Sequence, residues 1–108
     1  MPEQNPYQVH NGAAVLDIGE DIGALVIYTK ARLQGQEIEV SRRGDDSPRI
    51  HTAVLERRVN GRSIFAALFL ALAAGDYTIW TDDPTVPSTV TIAGGSVAEI
   101  DWRNSTIS

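Results

Sequence analysis

Residues 50–69 read IHTAVLERRVNGRSIFAALF, and the Asn60-Gly61 pair at their centre decides the fold. Asn-Gly between two apolar-containing runs is a strong β-hairpin signal, because both central residues of a type I′ turn need positive φ. The run before the turn is rich in β-branched residues, which favour strands. The chain from Arg62 onward is therefore predicted to return antiparallel to residues 50–59.

The stretch that follows the turn, residues 63–74 (SIFAALFLALAA), permits two interpretations. Its alanines and leucines favour a helix, and Gly75 would suit the position just after a helix end. Its position directly after a hairpin turn, and its opening Ile64-Phe65, favour a strand instead. We predict a strand over 63–69 and a loop over 70–75, with a helix as the alternative.

Outward from the hairpin, most segments alternate apolar and polar residues between turn residues, which is typical of antiparallel strands. Further strands are predicted at 13–18, 23–29, 37–41 and 76–80, and on both sides of Ala93-Gly94-Gly95 as a second hairpin. In the 37–41 segment, Ile38 and Val40 should face the core and Ser41 should face out. The pattern predicts one all-β domain over residues 13–103, an antiparallel β-sandwich of seven or eight short strands, between tails 1–12 and 104–108.

The segment from Leu72 to Trp80, LAAGDYTIW, is similar to the L-x-A-G-x-Y-T-L element of transthyretin-like (prealbumin-like) sandwiches, including Cna-B-type and carboxypeptidase-regulatory-type domains. In those families the Leu fills the core, the Gly opens a turn and the Tyr begins a strand. Residues 89–102, TVTIAGGSVAEIDW, resemble their closing hairpin, V-T-V-x-x-G-x-x-x-x-V-D. The resemblance implies a transthyretin-like architecture, but that fold hosts spacers, carriers and hydrolases alike.

Two further resemblances add no activity. The enzymatic branch of that fold, the hydroxyisourate hydrolases, ends in Tyr-Arg-Gly-Ser and uses paired histidines and an arginine. This chain ends in NSTIS and has only His10 and His51, so the resemblance does not extend to that chemistry. The chain, above all residues 15–26 (VLDIGEDIGALV), also resembles a group of short uncharacterised actinobacterial proteins.

Composition and charge exclude several classes of function. Nine basic and fourteen acidic residues give 9 − 14 = −5, which is poorly suited to binding nucleic-acid phosphates or anionic lipids. The absence of cysteine excludes disulfides, thiolate zinc sites and thiol nucleophiles. The longest nearly apolar run, residues 64–74, is far short of the ~20 residues that span a bilayer. With no signal-like N-terminus, a cytoplasmic protein is expected.

The acidic segment around Asp17, Glu20 and Asp21 could be a weak cation site or a turn between two strands. An EF-hand loop would need a Glu eleven residues after its first ligand, and position 28 is Tyr. Gly19 and Gly23 suit a tight turn, which is the favoured interpretation. No cofactor and no metal site are predicted, and Asp45-Asp46 and Asp82-Asp83 are expected to be solvated loops unless the two pairs meet in space.

Catalytic and adhesive motifs have simpler structural explanations. His51 could act as a base, but acyl-transfer chemistry needs a nucleophile and an orienting acid within reach, and no G-x-S-x-G motif occurs. His51 is therefore expected to be a structural residue on a sheet face, and no catalytic residue is assigned. The tripeptide Arg43-Gly44-Asp45 is expected to be a turn rather than an integrin ligand.

The remaining candidates are two tryptophans, whose rings can bind ligands by stacking or fill the core. Trp80 is expected in the core, and Trp102 either in the core or exposed as an anchor. The predicted function is a non-enzymatic interaction module that binds another protein or its own copy, as a homodimer through sheet edges. The alternatives are a carbohydrate- or small-ligand-binding module that uses Trp80 and Trp102, and a small hydrolase that uses His51 and a nearby acid.

Overall fold

The structure is a computed structural model that describes residues 19–104. Its strands are β1 (Ile22–Thr29), β2 (Glu37–Arg42), β3 (Ile50–Val59), β4 (Arg62–Ala73), β5 (Gly75–Ile79), β6 (Thr89–Ile92) and β7 (Val97–Asp101). A 3-10 turn, Ala31–Leu33, follows β1. No α-helix occurs within residues 19–104. The all-β prediction is confirmed. The predicted strand at 13–18, the tail 1–12 and residues 105–108 lie outside the described residues.

The strands form one sheet in the order β6-β5-β2-β3-β4-β1-β7. All neighbouring pairs are antiparallel, except that β1 and β7 are parallel. The sheet is therefore mixed, and the prediction of a wholly antiparallel sheet is wrong. The terminal strands β6 and β7 approach each other, so the sheet nearly closes into a barrel.

The predicted hairpin over residues 89–102 is wrong in its pairing. β6 is hydrogen-bonded to β5, and β7 is hydrogen-bonded to β1. The turn between them connects the two edge strands of the sheet across the gap that separates them. In this turn the Ser96 N–H donates to the Ala93 carbonyl at 3.2 Å. Its glycines permit a sharp reversal in either arrangement, so the sequence does not distinguish a hairpin from this crossing.

The predicted hairpin of β3 and β4 is confirmed. Asn60 and Gly61 have φ of 53° and 80°, as a type I′ turn requires, and Val59 pairs with Arg62. β4 then continues to Ala73, so the loop predicted at 70–75 and the alternative helix are both wrong. β4 pairs with β1 along one edge and β3 along the other, and this pairing outweighs the helix propensity of its alanines and leucines.

β1 is buried on both of its faces, as its apolar sequence predicts. Leu25 and Ile27 belong to the main core, whereas Val26 and Tyr28 form a second buried cluster on the opposite face with Ala66 and Leu68. Both hydrogen-bonding edges of β1 are occupied, by β4 and by β7.

Candidate functional site: a cleft lined by two tryptophans

A cavity of about 350 Å³ lies at the end of the sheet where β1 and β5 finish, and both tryptophans line it. Its apolar lining includes Leu33, Ile38, Val54 and Val86. Its polar lining includes Arg32, Gln36, Glu37, Thr81, Asp82 and Asp83. We call this cavity the tryptophan cleft. The two residues proposed from the sequence as ligand-binding thus meet at one site, although they follow different strands.

Trp80 is held at the rim of the fold rather than in its core. Its backbone N–H donates to the Glu39 carbonyl at 2.9 Å, and its indole Nε1 donates to the Ser41 hydroxyl at 3.0 Å. The Arg49 guanidinium lies 3.8 Å from the ring centroid and binds the Glu39 carboxylate at 2.9 Å. The predicted core role of Trp80 is wrong, because these partners hold the ring half-buried at the strand end.

Ser41 also departs from the prediction. It was expected to face solvent, but only 1% of its surface is exposed. Its hydroxyl accepts the indole hydrogen bond, which satisfies a polar group that would be costly to bury alone. Ile38 and Val40, by contrast, face the core as predicted.

Trp102 occupies the core position that the sequence left open. It is 6% exposed and packs in the main core cluster. Its backbone N–H donates to the Tyr28 carbonyl at 2.7 Å, and its Nε1 donates to the Pro87 carbonyl at 2.9 Å. The second bond fastens the loop between β5 and β6 over the core, so Trp102 forms a fixed wall of the cleft.

The charges of the cleft are mainly negative. Glu37, Asp82 and Asp83 line it together with one cation, Arg32. Asp83 also orders its own loop, because its carboxylate accepts the Thr85 N–H at 2.8 Å. The tryptophan cleft therefore combines aromatic and aliphatic walls with an acidic rim.

His51 stands beside the cleft but does not line it. Its Nδ1 lies 3.2 Å from the Glu37 carboxylate, and both side chains are more than half exposed. In the part of the chain that the structure describes, no serine or threonine is bonded to His51. The arrangement supplies an acid next to a base without a nucleophile, and His10 lies outside the described residues.

The other acidic candidates do not form a site. Across residues 19–104, no group of three histidines, cysteines or acids could hold a metal ion. Asp45 lines a separate cavity of about 200 Å³, so Asp45-Asp46 and Asp82-Asp83 do not converge. Glu20 and Asp21 are exposed, as predicted, whereas Asp17 lies outside the described residues.

The Arg43-Gly44-Asp45 triplet forms the predicted turn. Gly44 has φ of 81°, and the Asp45 N–H donates to the Arg42 carbonyl at 2.9 Å. The glycine is there because the turn requires a left-handed backbone, which other residues adopt at a cost.

Two groups near the surface have shifted pKa values. Hydrogen bonds from the Arg103 side chain and backbone lower the pKa of Asp101, next to Trp102. Burial lowers the pKa of Arg57, whose Nε has no hydrogen-bond partner. Neither group lines the tryptophan cleft.

Sequence reasoning missed the residues that position Trp80, namely Glu39, Ser41 and Arg49. Alternation along β2 places Glu39 and Ser41 on one face, which is a readable signal. Their relation to Trp80 depends on the pairing of β2 with β5, and no local pattern specifies that pairing.

Comparison with protein-family models, with curated proteins and with solved structures finds no match to this chain. None of the helical segments within residues 19–104 is long and apolar enough to cross a membrane.

Proposed function

We propose that this protein is a non-enzymatic binding module and that the tryptophan cleft is its ligand site. The observation that carries the proposal is the meeting of Trp80 and Trp102 at one cavity of about 350 Å³. Small-molecule sites are clefts of about 300–1,000 Å³ with mostly apolar walls and a few placed polar groups. The cleft is at the lower end of that range, which suits a ligand the size of one side chain or one sugar.

The walls of the cleft are held in place before any ligand arrives. Each indole N–H already has a partner, Ser41 for Trp80 and the Pro87 carbonyl for Trp102. A preorganised wall loses less conformational entropy on binding. Binding is favoured over hydrolysis, because the contacts of His51 supply Glu37 but no nucleophile.

Tryptophan fluorescence tests this proposal directly, because the only two tryptophans of the chain line the cleft. Titration with a panel of glycans, amines and short peptides should shift the emission for at least one class. Val86→Phe, which fills the cleft, should abolish the shift. Ile50→Phe, which adds the same ring at an exposed position outside the cleft, should leave it unchanged. Equal binding by both variants would overturn the assignment.

We also propose that the sheet is a two-layered, transthyretin-like sandwich. The core cluster joins Leu25 and Ile27 of β1 to Val40 of β2 and Ile79 of β5, although β1 is a neighbour of neither β2 nor β5 in the sheet. Side chains of such distant strands touch when the sheet folds over itself. An experimental structure in which β1 does not face β2 and β5 would contradict the sandwich.

The family resemblance receives support from the segment that carries it. Leu72 is buried in the core, as the motif implies, and Tyr77 is buried in β5. Gly75, with φ of 146°, is the first residue of that strand rather than the start of a turn, and Tyr77 is its third residue. The pairing of residues 89–102 departs from a closing hairpin, so the resemblance is supported more strongly before residue 81 than after it.

Self-association is the second candidate function. Within the described residues, β6 and β7 each have one edge that pairs with no other strand, and such edges can accept a strand from another chain. Both strands are short and approach each other, so this mode has less to support it than the cleft. Light scattering at high concentration should show a dimer, and a strict monomer would remove this candidate. The cytoplasmic location stays a prediction.

A further inference from the structure

We propose that the ligand of the tryptophan cleft is a cation on an apolar stem, namely a guanidinium or ammonium group of a peptide side chain or a small amine. This inference rests on the proposed function and adds the chemical class of the ligand. It follows from the charge of the rim, from the aromatic wall and from an arrangement that the protein already contains.

The acidic rim selects the sign of the ligand. Three carboxylates, those of Glu37, Asp82 and Asp83, and one guanidinium, that of Arg32, line the cleft. The whole chain carries a net charge of −5, so long-range attraction also favours cations and disfavours anions. Ligands that bear phosphate or carboxylate groups would be repelled by the acidic rim and by the net negative charge of the chain.

The aromatic wall suits the same class. A cation over an aromatic face is attracted by the ring quadrupole, most strongly for tryptophan. The apolar lining from Leu33, Val54 and Val86 would contact the stem of the ligand while the rim holds its charged end.

The protein itself shows how Trp80 binds a cation. The Arg49 guanidinium stacks 3.8 Å from the Trp80 centroid and is held by the Glu39 carboxylate at 2.9 Å. Arg49 is not among the residues that line the cleft. Trp80 also presents part of its surface to the cleft, where Arg49 does not lie. A ligand cation on that surface, with Asp82 as its carboxylate, would repeat the arrangement of Arg49 and Glu39.

The test titrates the full chain with three probes, and tryptophan fluorescence measures their binding. Butylguanidinium represents a free small cation, N-acetyl-arginine methylamide represents a peptide side chain, and N-acetyl-citrulline methylamide is the neutral isostere of the second. We expect the arginine probe to bind at least about tenfold more tightly than the citrulline probe, and its affinity to fall as salt is raised. Tighter binding of the arginine probe than of butylguanidinium identifies a peptide source, and equal binding identifies a small amine.

Two variants locate the charge. Asp82→Asn should weaken the arginine probe by about three- to tenfold without changing the citrulline probe. Glu20→Gln removes one carboxylate from an exposed position that does not line the cleft, and it should leave both affinities unchanged. Equal weakening by the two variants would reduce the effect to net charge and overturn the role of Asp82.

Two different experimental outcomes would contradict the cationic ligand class and the ligand site itself. If the citrulline and arginine probes bind equally and Val86→Phe abolishes both, the cleft is a ligand site but the cationic class is wrong. If no probe and no member of the wider panel changes the fluorescence, both proposals are wrong.

Discussion

The two ends of the sheet are built differently. At the start of β1, glycines let backbone segments approach too closely for any side chain: a Cβ on Gly94 would lie 1.8 Å from the Glu20 carbonyl oxygen. At the opposite end, where Trp80 and Trp102 follow β5 and β7, the chain leaves a cavity of about 350 Å³. We call these the glycine end and the tryptophan end. The glycine end therefore stabilises the fold, whereas the tryptophan end has room for a ligand.

The largest expected effect lies at the glycine end. Gly94→Ala places a methyl group inside contact distance of backbone, which cannot move without separating β1 from the turn between β6 and β7. We expect a loss of about 3 kcal/mol or more in the free energy of unfolding, measured by urea denaturation. Gly19→Ala is the matched control, because its Cβ would meet nothing within 4 Å. If Gly94→Ala were as stable as the control, the close approach would be wrong.

A second prediction compares one leucine from each end. Leu72 pairs with Gly23 at the glycine end and is 2% exposed, so Leu72→Ala should cost about 2–5 kcal/mol. Leu33 lines the cleft and is only partly buried, so Leu33→Ala should cost about 1 kcal/mol. Thermal unfolding of both variants measures the difference, and equal losses would abolish the contrast between the ends.

A third prediction concerns the hydroxyl group of Tyr77, near the glycine end. The buried Tyr77 hydroxyl donates to the Ala73 carbonyl at 2.6 Å, across the bend between β4 and β5. Tyr77→Phe keeps the packing but removes that bond and the longer one, at 3.4 Å, that Arg42 Nη1 donates to the same hydroxyl. Their loss should cost about 1 kcal/mol. A change in Tm of less than one degree would show that the hydroxyl contributes nothing to holding the bend.

The smallest effect is expected beside the tryptophan end, as a pH dependence. Arg103 hydrogen bonds lower the pKa of Asp101 below its ordinary 3.8, so the charged carboxylate stabilises the folded state. That contribution is present above about pH 4 and is lost as the pH falls through the lowered pKa. Because about half of each side chain in the pair is exposed to solvent, which screens the interaction, this contribution should be less than about 0.5 kcal/mol. Asp101→Asn should remove this part of the acid dependence, and an unchanged acid limb would contradict it.

The elements that the sequence predicted best are those with a local cause. The turn at Asn60-Gly61 follows from a backbone conformation that few residue pairs adopt, and the alternation of Ile38 and Val40 follows from a strand with one buried face. β4 was predicted too short because alanine and leucine favour helices locally, whereas its two neighbours, β1 and β3, hold it extended to Ala73. Sequence pattern does not contain the identity of those neighbours.

The candidate site shows the same division. The residue type pointed to Trp80 and Trp102, because few side chains suit a stacking surface. Their burial was assigned the wrong way for Trp80 and left open for Trp102, since burial depends on what packs over a strand end. The partners that settle it, Ser41 and Arg49 for Trp80 and Pro87 for Trp102, come from distant parts of the chain.

The sequence by itself determined an all-β chain, its principal hairpin, its acidic charge and the absence of cysteine chemistry, because turn geometry, period-two alternation and composition are local properties. Only the tertiary structure decided that β1 and β7 run parallel, that residues 89–102 connect the two edge strands of the sheet, and that the tryptophans share a cleft. These features depend on which strands meet, and strand pairing is set by burial of the whole core rather than by any one segment.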